Sequence, residues 1–178
     1  MTATTLVRRL GADDAPAYRA LSLRAYAEHP DAFTATVSER AAQPMSFWLA
    51  RASEAPDAPE CVFGAFADGV LVGSAGLEFE NRPKTCHKAL LFGMYVAPEA
   101  RGLGLGADLV HAVLAAARER EWVRVVRLTV TEGNAAAESL YARCGFKRFG
   151  VEPMAMRDVE TGQFFGKVHM ACVLGGLA

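Results

Sequence analysis

The sequence predicts one α/β domain built on a mixed sheet, in the element order β-α-α-β-β-β-α-β-α-β-β. Three observations support this fold class. The 178 residues suit a single domain, residues 1–178, and leave no room for two large ones. Hydrophobic residues make up 52% of the chain, which is enough apolar surface for a sizeable core. Strand-like apolar runs are interleaved with segments of helical periodicity, and no internal repeat interrupts them.

The first third of the chain predicts one strand and two helices. Leu6–Leu10 is a short apolar run typical of a strand. The pair Asp13–Asp14 precedes Pro16, an order that favours the N-terminus of a helix. A second helix is predicted over Met45–Arg51. Two other segments are expected to be irregular, because proline, threonine, aspartate and alanine dominate them: Glu28–Ser38 and Ala52–Glu60.

Three strands are predicted in the middle of the chain. Cys61–Ala67 and Val70–Glu80 are separated by Asp68-Gly69, a residue pair that favours a two-residue hairpin turn. Within the second of these strands, two glutamates alternate with apolar residues, as on a strand with one polar face. Lys88–Ala97 is a longer apolar run that ends before a proline, and it predicts a buried strand.

The last part of the chain alternates between helices and strands. Gly104–Glu121 places apolar residues on one helical face, and Val123–Val130 is a strand rich in β-branched residues. Ala135–Cys144 is predicted as a shorter helix that ends at Gly145. The final two strands are predicted at Lys147–Val151 and Phe164–Leu174.

The composition argues against several classes of function. Lysine and arginine number 19 and aspartate and glutamate 20, so the net charge of −1 does not suit a protein dominated by nucleic-acid phosphate contacts. No apolar run reaches the ~18 to 20 residues that a membrane-spanning helix needs. The cysteines are scattered without metal-ligand spacing, so we expect no metal site. Unpaired thiols and the absence of an apolar signal segment predict a cytoplasmic location.

The most informative segment is the glycine-rich turn RGLGLG at 101–106, between a predicted strand and a long helix. The first amides of a helix have no intrahelical partner and lie at the positive end of its dipole. Glycines let a phosphate approach those amides closely, so the turn suits a diphosphate ligand. The turn alone leaves open a dinucleotide, a methyltransferase cofactor or no ligand. A Walker A loop is excluded, because Gly166-Lys167 is followed by Val168.

Residues downstream of the turn distinguish between these alternatives. Asn134 is followed seven residues later by Tyr141 and then by Gly145-Phe146. Together with the Arg-x-x-Gly-x-Gly motif at 101–106, this pattern resembles the GNAT acetyltransferase superfamily, most densely over residues 88–150. The resemblance implies a single GNAT-like α/β (α+β) domain, with a mixed, mostly antiparallel sheet of about seven strands flanked by about four helices.

The resemblance also implies direct transfer of an acetyl group from acetyl-CoA to a primary amine, without a metal. Leu90–Val96 is expected to splay from Val123–Val130 and to receive the pantetheine arm of acetyl-CoA in the gap. The turn would bind the pyrophosphate, and Asn134 would contact the cofactor from the other side. The expected cofactor-binding residues are Met94, Tyr95, Val96, Arg101, Gly102, Leu103, Gly104, Leu105, Gly106 and Asn134.

Tyr141 is the residue that the resemblance places near the departing sulfur, where a phenol could protonate the thiolate. The general base is less defined, because Leu90–Val96 contains no glutamate. Glu78 and Glu80 on the preceding strand are candidates, and solvated strand carboxylates are the alternative interpretation. A poorly placed base fits an α-amine of pKa ~8 better than a lysine amine of pKa ~10.4. Cys144 is interpreted as a packing residue, because no histidine lies near it in sequence.

The acceptor is expected to be the amine of a small molecule or a peptide, with no nucleic-acid or membrane partner. Two alternatives stay open: acetylation of protein lysines or N-termini, and a non-catalytic acyl-CoA-binding regulatory domain. The presence of Tyr141 argues against the non-catalytic alternative. The sequence does not define the oligomeric state, although the last apolar strand could pair with that of a second copy to form a homodimer.

Overall fold

The computed structural model describes residues 3–175 and places seven strands in one sheet. The strands are β1 (Thr5–Arg9), β2 (Glu60–Ala67), β3 (Val70–Phe79), β4 (Lys88–Val96), β5 (Val125–Thr131), β6 (Lys147–Arg157) and β7 (Phe164–Val173). In space they lie in the order β1-β2-β3-β4-β5-β7-β6. All neighbours are antiparallel except β4 and β5, which are parallel. The predicted mixed, mostly antiparallel sheet is therefore confirmed; that residues 1–178 form a single domain stays a prediction.

The helices cover the sheet and complete the predicted element order. Within residues 3–175 they are α1 (Ala15–Glu28), α2 (Val37–Ala41), α3 (Met45–Arg51), α4 (Leu105–Glu119) and α5 (Ala135–Arg143). Single 3-10 turns follow α1 at Pro30–Ala32 and β4 at Pro98–Ala100. None of the helices in this part of the chain combines the length and the apolar composition needed to cross a bilayer.

Two hydrophobic clusters lie on opposite faces of the sheet. Alternate residues of β2 point to different faces, with Cys61 and Ala65 in the larger cluster and Val62 in the smaller one. The larger cluster contains the apolar face of α4, and the smaller one surrounds Trp48 of α3, which is 1% exposed. The sheet is thus covered on both faces, and α4 packs across strands β1 to β4.

Helix α2 was not predicted; it overlaps the segment Glu28–Ser38, which was predicted to be irregular, only at Val37–Ser38. Its first turn is closed by a capping box, in which the Glu39 amide donates to the Thr36 hydroxyl and the Thr36 amide donates to the Glu39 carboxylate. The Thr-x-x-Glu spacing that forms this box is visible in the sequence. The prediction of an irregular segment extended two residues too far, and the helix that follows was missed.

The C-terminal strands also differ from the prediction. Strand β6 continues to Arg157 rather than ending at Val151, because a register shift between Glu152 and Met156 lets the strand pass Pro153. Strand β7 lies between β5 and β6 and uses both of its edges for pairing. Edge-to-edge pairing of β7 with a second copy, the route to a homodimer that the sequence left open, is therefore excluded.

Candidate active site

Strands β4 and β5 pair at their beginnings and then separate. Lys88–Leu90 pairs with Val125–Arg127. Farther along β4, Gly93 has a φ of +61°, and the register against β3 shifts between Ser74 and Gly76. The Ser74 hydroxyl donates a 3.3 Å hydrogen bond to the Gly93 carbonyl at this bulge. The bulge bends β4 away from β5, and the predicted splay of the two strands opens a cleft between them.

A cavity of about 860 Å³ occupies the outer part of this cleft, beside the beginning of α4. Its volume lies within the ~300–1,000 Å³ that is usual for small-molecule and cofactor sites. Its walls come from the second half of β4, the glycine-rich turn, the end of β5 and the helix α5. Of the predicted cofactor-binding residues, it is lined by Met94, Tyr95, Val96, Arg101, Gly102, Gly104, Leu105, Gly106 and Asn134.

The glycine-rich turn leaves open space where a ligand can approach the amides of α4. Gly104 is the N-cap of α4 with a φ of +81°, and Gly102 has a φ of +82°. A Cβ at either position would meet nothing within 4 Å, so the backbone conformation rather than crowding requires glycine here. The amides at this helix N-terminus therefore lie beside the cavity, and the turn fits an anion such as a pyrophosphate.

Charged side chains brace the turn against α1. Arg24 donates two hydrogen bonds to the Glu99 carboxylate, at 2.6 and 2.9 Å, and a third to Glu28 at 2.7 Å. The hydrogen bonds from Arg24 hold the pKa of Glu99 at about 2. The Tyr95 hydroxyl donates to the other Glu28 oxygen at 2.6 Å, and burial together with this bond raises the pKa of Tyr95 to about 12. These contacts fix the end of β4 relative to α1.

Tyr141 lies where the large cavity meets a second, smaller one of about 330 Å³. Its ring is 6% exposed and packs edge-on against Phe146, with 5.8 Å between the ring centroids. Burial, with a smaller contribution from Cys144, raises the pKa of the phenol well above its ordinary value. The residues shared by the two cavities mark their junction: Ala32, Phe33, Met94, Thr131, Asn134, Ala137 and Tyr141.

A model of the acetyltransferase (GNAT) family matches residues 22–146, a region that includes the turn, Asn134 and Tyr141. The chain belongs to the GNAT acetyltransferase family. The superfamily resemblance of the sequence motifs is thereby confirmed, as is the fold that it implied. The two motifs that carried the resemblance face one another across the large cavity of this GNAT fold.

Curated relatives of this GNAT chain include acetyltransferases that are named after a small molecule. It is 33% identical over 141 residues to a mycothiol acetyltransferase of Salinispora tropica, which covers 79% of the chain and 43% of the relative. It is 32% identical over 146 residues to a phosphinothricin N-acetyltransferase of Alcaligenes faecalis, covering 82% of the chain and 71% of the relative. The chain thus spans less than half the length of the mycothiol acetyltransferase that it matches.

Solved GNAT structures share the fold over nearly the whole chain. One is yncA, a putative acetyltransferase from Salmonella typhimurium solved with its cofactor acetyl-CoA. It superposes with a TM-score of 0.76 over 98% of this chain and 96% of its own, at 20% sequence identity. Similarity at this level establishes the architecture of the sheet and helices.

For two of the predicted cofactor-binding residues, Leu103 and Asn134, the structure adds to or departs from the role that was predicted. Leu103 is 43% exposed and does not line the large cavity. Asn134 lines both cavities, and its side-chain oxygen also caps α5 by accepting a 3.1 Å hydrogen bond from the Ala137 amide. The asparagine therefore has a structural role that its motif did not reveal.

The structure separates the two candidate bases. Glu78 is exposed on β3 and lines the small cavity. Glu80 lies beyond the end of β3 and lines neither cavity; its carboxylate accepts a 3.1 Å hydrogen bond from Arg127. The expectation that Glu80 faces the acceptor is not supported, because the strand ends at Phe79 and the alternation that predicted its direction ends with it.

Three charged residues of the small cavity were not predicted as site residues: Arg40, Arg51 and Lys167. The sequence is rich in arginine, so no single arginine stood out as a candidate. Lys167 is 6% exposed, and its ammonium donates to the Thr131 hydroxyl at 3.0 Å and to the Ala32 carbonyl at 3.4 Å. Its position in the apolar run of β7 was the signal that could have identified it.

Cys144 does not have the environment of a reactive thiol. It lies at the end of α5, and burial is the main cause of a pKa above its ordinary value. A raised pKa leaves less thiolate at neutral pH, and the thiolate is the nucleophilic form. These observations support the interpretation of Cys144 as a packing residue.

The protonation of Tyr141 leads to a prediction about pH. Because the pKa of the phenol is raised, it keeps its proton at pH values where an exposed tyrosine, with a pKa of about 10, begins to lose it. We expect kcat measured at saturating substrate to show no alkaline decline up to about pH 10. A decline with an apparent pKa near 9, absent from Tyr141→Phe, would show that the phenol is not kept protonated by its surroundings.

Proposed function

We propose that the chain transfers an acetyl group from acetyl-CoA to the primary amine of a small molecule. The observation that carries the proposal is the meeting of two cavities at Tyr141, one beside the amides of a glycine-rich helix N-terminus and one lined by charged side chains. The family and the names of its relatives support the same activity.

The large cavity has the features that acetyl-CoA requires. The turn at 101–106 would hold the pyrophosphate through the first amides of α4, and Arg101 would add a positive charge beside it. The separated edge of β4, at Met94 and Val96, would bind the extended pantetheine arm through main-chain groups. The acetyl group would then lie at the junction of the two cavities, close to Tyr141.

The residues at the junction can move the protons that the reaction requires. Bound acetyl-CoA supplies a thioester whose acetyl carbon forms a bond to the acceptor nitrogen and whose sulfur leaves with the electrons of the C–S bond. The Tyr141 phenol donates its proton to that sulfur and is reprotonated from solvent. Glu78 takes the proton that the acceptor nitrogen loses, directly or through water, and an amide near Met94 or Tyr95 stabilises the oxyanion.

The size of the small cavity favours a small acceptor over a protein lysine. Its volume of about 330 Å³ lies at the lower end of the range for ligand sites, and its walls include the half-buried Arg51 and the buried Lys167. The expected α-amine acceptor is compatible with Glu78 as the base, because an α-amine is less basic than a lysine amine and needs less help to lose its proton.

An assay of thiol release from acetyl-CoA over a panel of primary amines tests the proposal. The panel should contain amino acids, amino acid amides, simple alkylamines and a lysine-containing peptide. We expect thiol release with at least one small amine and a product heavier by one acetyl group. Binding of CoA without thiol release from any amine would instead support the non-catalytic acyl-CoA-binding domain.

The two glutamates at the end of β3 provide a matched pair of variants. Glu78→Gln removes the carboxylate that lines the small cavity, so we expect kcat/KM for the acceptor to fall about tenfold or more near pH 7. The loss should shrink toward pH 10, where the amine loses its proton unaided. Glu80→Gln removes the ion pair with Arg127, which is worth roughly 0–1 kcal/mol of stability, and leaves an oxygen that can still accept the 3.4 Å hydrogen bond from the Thr85 hydroxyl. Equal losses of activity in both variants would contradict the assignment of Glu78.

A further inference from the structure

Two arginines form the wall of the small cavity that lies away from the glycine-rich turn. Arg40 is in α2 and Arg51 is the last residue of α3, and both line the small cavity but not the large one. Their guanidinium groups stack on the Phe47 ring, 5.2 and 4.6 Å from its centroid. Arg51 is also 4.6 Å from the centroid of the Phe92 ring, which belongs to β4. Both guanidinium groups therefore pack against aromatic rings in the wall of the cavity.

The two arginines have unused hydrogen-bonding capacity inside the protein. The Nε atoms of both are buried, and within residues 3–175 neither has a hydrogen-bond partner. The Arg51 Nε lies 3.5 Å from the Glu60 carboxylate, an ion-pair distance without hydrogen-bond geometry. A buried donor without a partner costs about 1–3 kcal/mol, and more when it is charged. Because these Nε atoms are closed to solvent, a ligand in the cavity would meet the outer N–H groups of the two guanidinium ions instead.

The charges that face the small cavity leave an excess of positive charge. Arg40, Arg51 and Lys167 line it, and Glu78 is the only carboxylate among its lining residues in the described part of the chain. Glu60 adds a negative charge beside Arg51, and burial raises its pKa. Lys167 is engaged by neutral oxygens, those of Thr131 and Ala32. The arginines therefore face a space with fewer negative charges than positive ones.

From this arrangement we infer that the acceptor amine carries an anionic group, a carboxylate in the simplest case, which Arg40 and Arg51 bind while the amine lies toward Glu78 and Tyr141. The inference rests on the proposed acetyl transfer and defines the class of its substrate. Guanidinium groups present their N–H donors in a planar fork that matches a carboxylate, and such charge-assisted bonds are the strong ones. A cavity of about 330 Å³ suits a molecule of the size of a free amino acid.

The position of the arginines gives them a role in specificity rather than in the chemical step. Tyr141 lies at the junction of the cavities, whereas the arginines line only the small one. Binding of the anionic group would therefore orient the molecule so that its amine points to the junction. An amine without that group loses this anchor and leaves the two guanidinium groups without an anionic ligand in the cavity.

Matched substrates separate this inference from the proposed function. Thiol release should be measured with free amino acids, with their carboxamides and with the corresponding decarboxylated amines. A carboxamide has the same shape as the carboxylate and a less basic amine, so a larger neutral fraction would favour it if charge recognition were absent. We expect kcat/KM to be about 10- to 100-fold higher for the best free amino acid than for its two partners.

The variants Arg40→Gln and Arg51→Gln then locate the recognition. Each should lower kcat/KM for the free amino acid about 10- to 100-fold, mainly through KM, and change it less than about twofold for the decarboxylated amine. The affinity for CoA, measured by calorimetry, should stay constant. Arg118→Gln is the control, because Arg118 is exposed on α4 and lines neither cavity. If Arg51→Gln fails to fold, Arg40→Gln and the comparison of substrates on the unaltered protein still give a result.

Each outcome has a distinct meaning. Equal kcat/KM for the free amino acid and its uncharged partners would overturn the inference and leave the acetyl transfer intact. A preference for the free amino acid that persists in both arginine variants would overturn the assignment of Arg40 and Arg51. Absence of thiol release with every amine would overturn the proposed function and this inference with it.

Discussion

Replacement of Tyr141 by phenylalanine is expected to lower kcat by about 10² to 10⁴, the usual contribution of a general acid. The phenylalanine keeps the ring that packs against Phe146 and removes only the hydroxyl. The loss should therefore appear in kcat, while KM for acetyl-CoA and its binding constant change little. Steady-state kinetics with both substrates varied would measure the effect.

Two measurements show whether a lower kcat comes from the chemical step rather than from weaker CoA binding or from unfolding. Calorimetry with CoA should give the same affinity for Tyr141→Phe and the unaltered protein, because the turn at 101–106 and the edge of β4 are untouched. Thermal unfolding should show that the variant is folded. A variant with unaltered kcat would remove Tyr141 from the mechanism, and a loss confined to KM would make it a binding residue.

A second large effect is expected at the glycine-rich turn. Gly104→Ala forces an L-residue into a φ of +81° at the N-cap of α4. The strain costs about 1–2 kcal/mol, or it is relieved by a backbone change that displaces the first amides of the helix. Each charge-assisted hydrogen bond lost to the pyrophosphate is worth about 1.5–3 kcal/mol. We therefore expect the affinity for CoA to fall roughly 10- to 100-fold.

Gly69 provides a matched control for this substitution. It has the same φ of +81° in the turn between β2 and β3, and a Cβ there would also meet nothing within 4 Å. Gly69→Ala should lose a similar amount of stability, because the backbone strain is the same, and should bind CoA normally. Calorimetric titration and thermal unfolding of both variants test this. An equal loss of CoA affinity in the two would assign the effect to general destabilisation.

Much of the fold could be predicted because local signals agreed with the tertiary structure. The Asp68-Gly69 pair predicted the hairpin of β2 and β3, and the apolar face of α4 predicted the buried residues of that helix. The short helix α2 was missed, although its capping box depends on residues three positions apart. The proline and threonines before the helix favour irregular structure, whereas the Thr-x-x-Glu spacing favours a helix. The helix also packs against α1, a contact that local sequence does not show.

The cofactor half of the site was easier to predict than the acceptor half. The turn at 101–106 is one continuous segment, so its glycines and their helix are adjacent in sequence. The small cavity instead brings together Arg40, Glu78 and Lys167 from three separate regions of the chain. No spacing rule relates residues that the fold alone makes neighbours. Glu80 was predicted to face the acceptor from the alternation of residues along a strand. This alternation does not apply to Glu80, because β3 ends at Phe79.

The short parallel ladder between Lys88–Leu90 and Val125–Arg127 has a mechanical consequence. It is the backbone link between β4 and β5 that joins the half of the sheet formed by β1–β4 to the half formed by β5, β7 and β6. An elongated ligand in the cleft that hydrogen-bonds to the free edge of β4 would add a second connection between these two halves of the sheet. Ligand occupancy would then strengthen the connection between the two halves of the sheet.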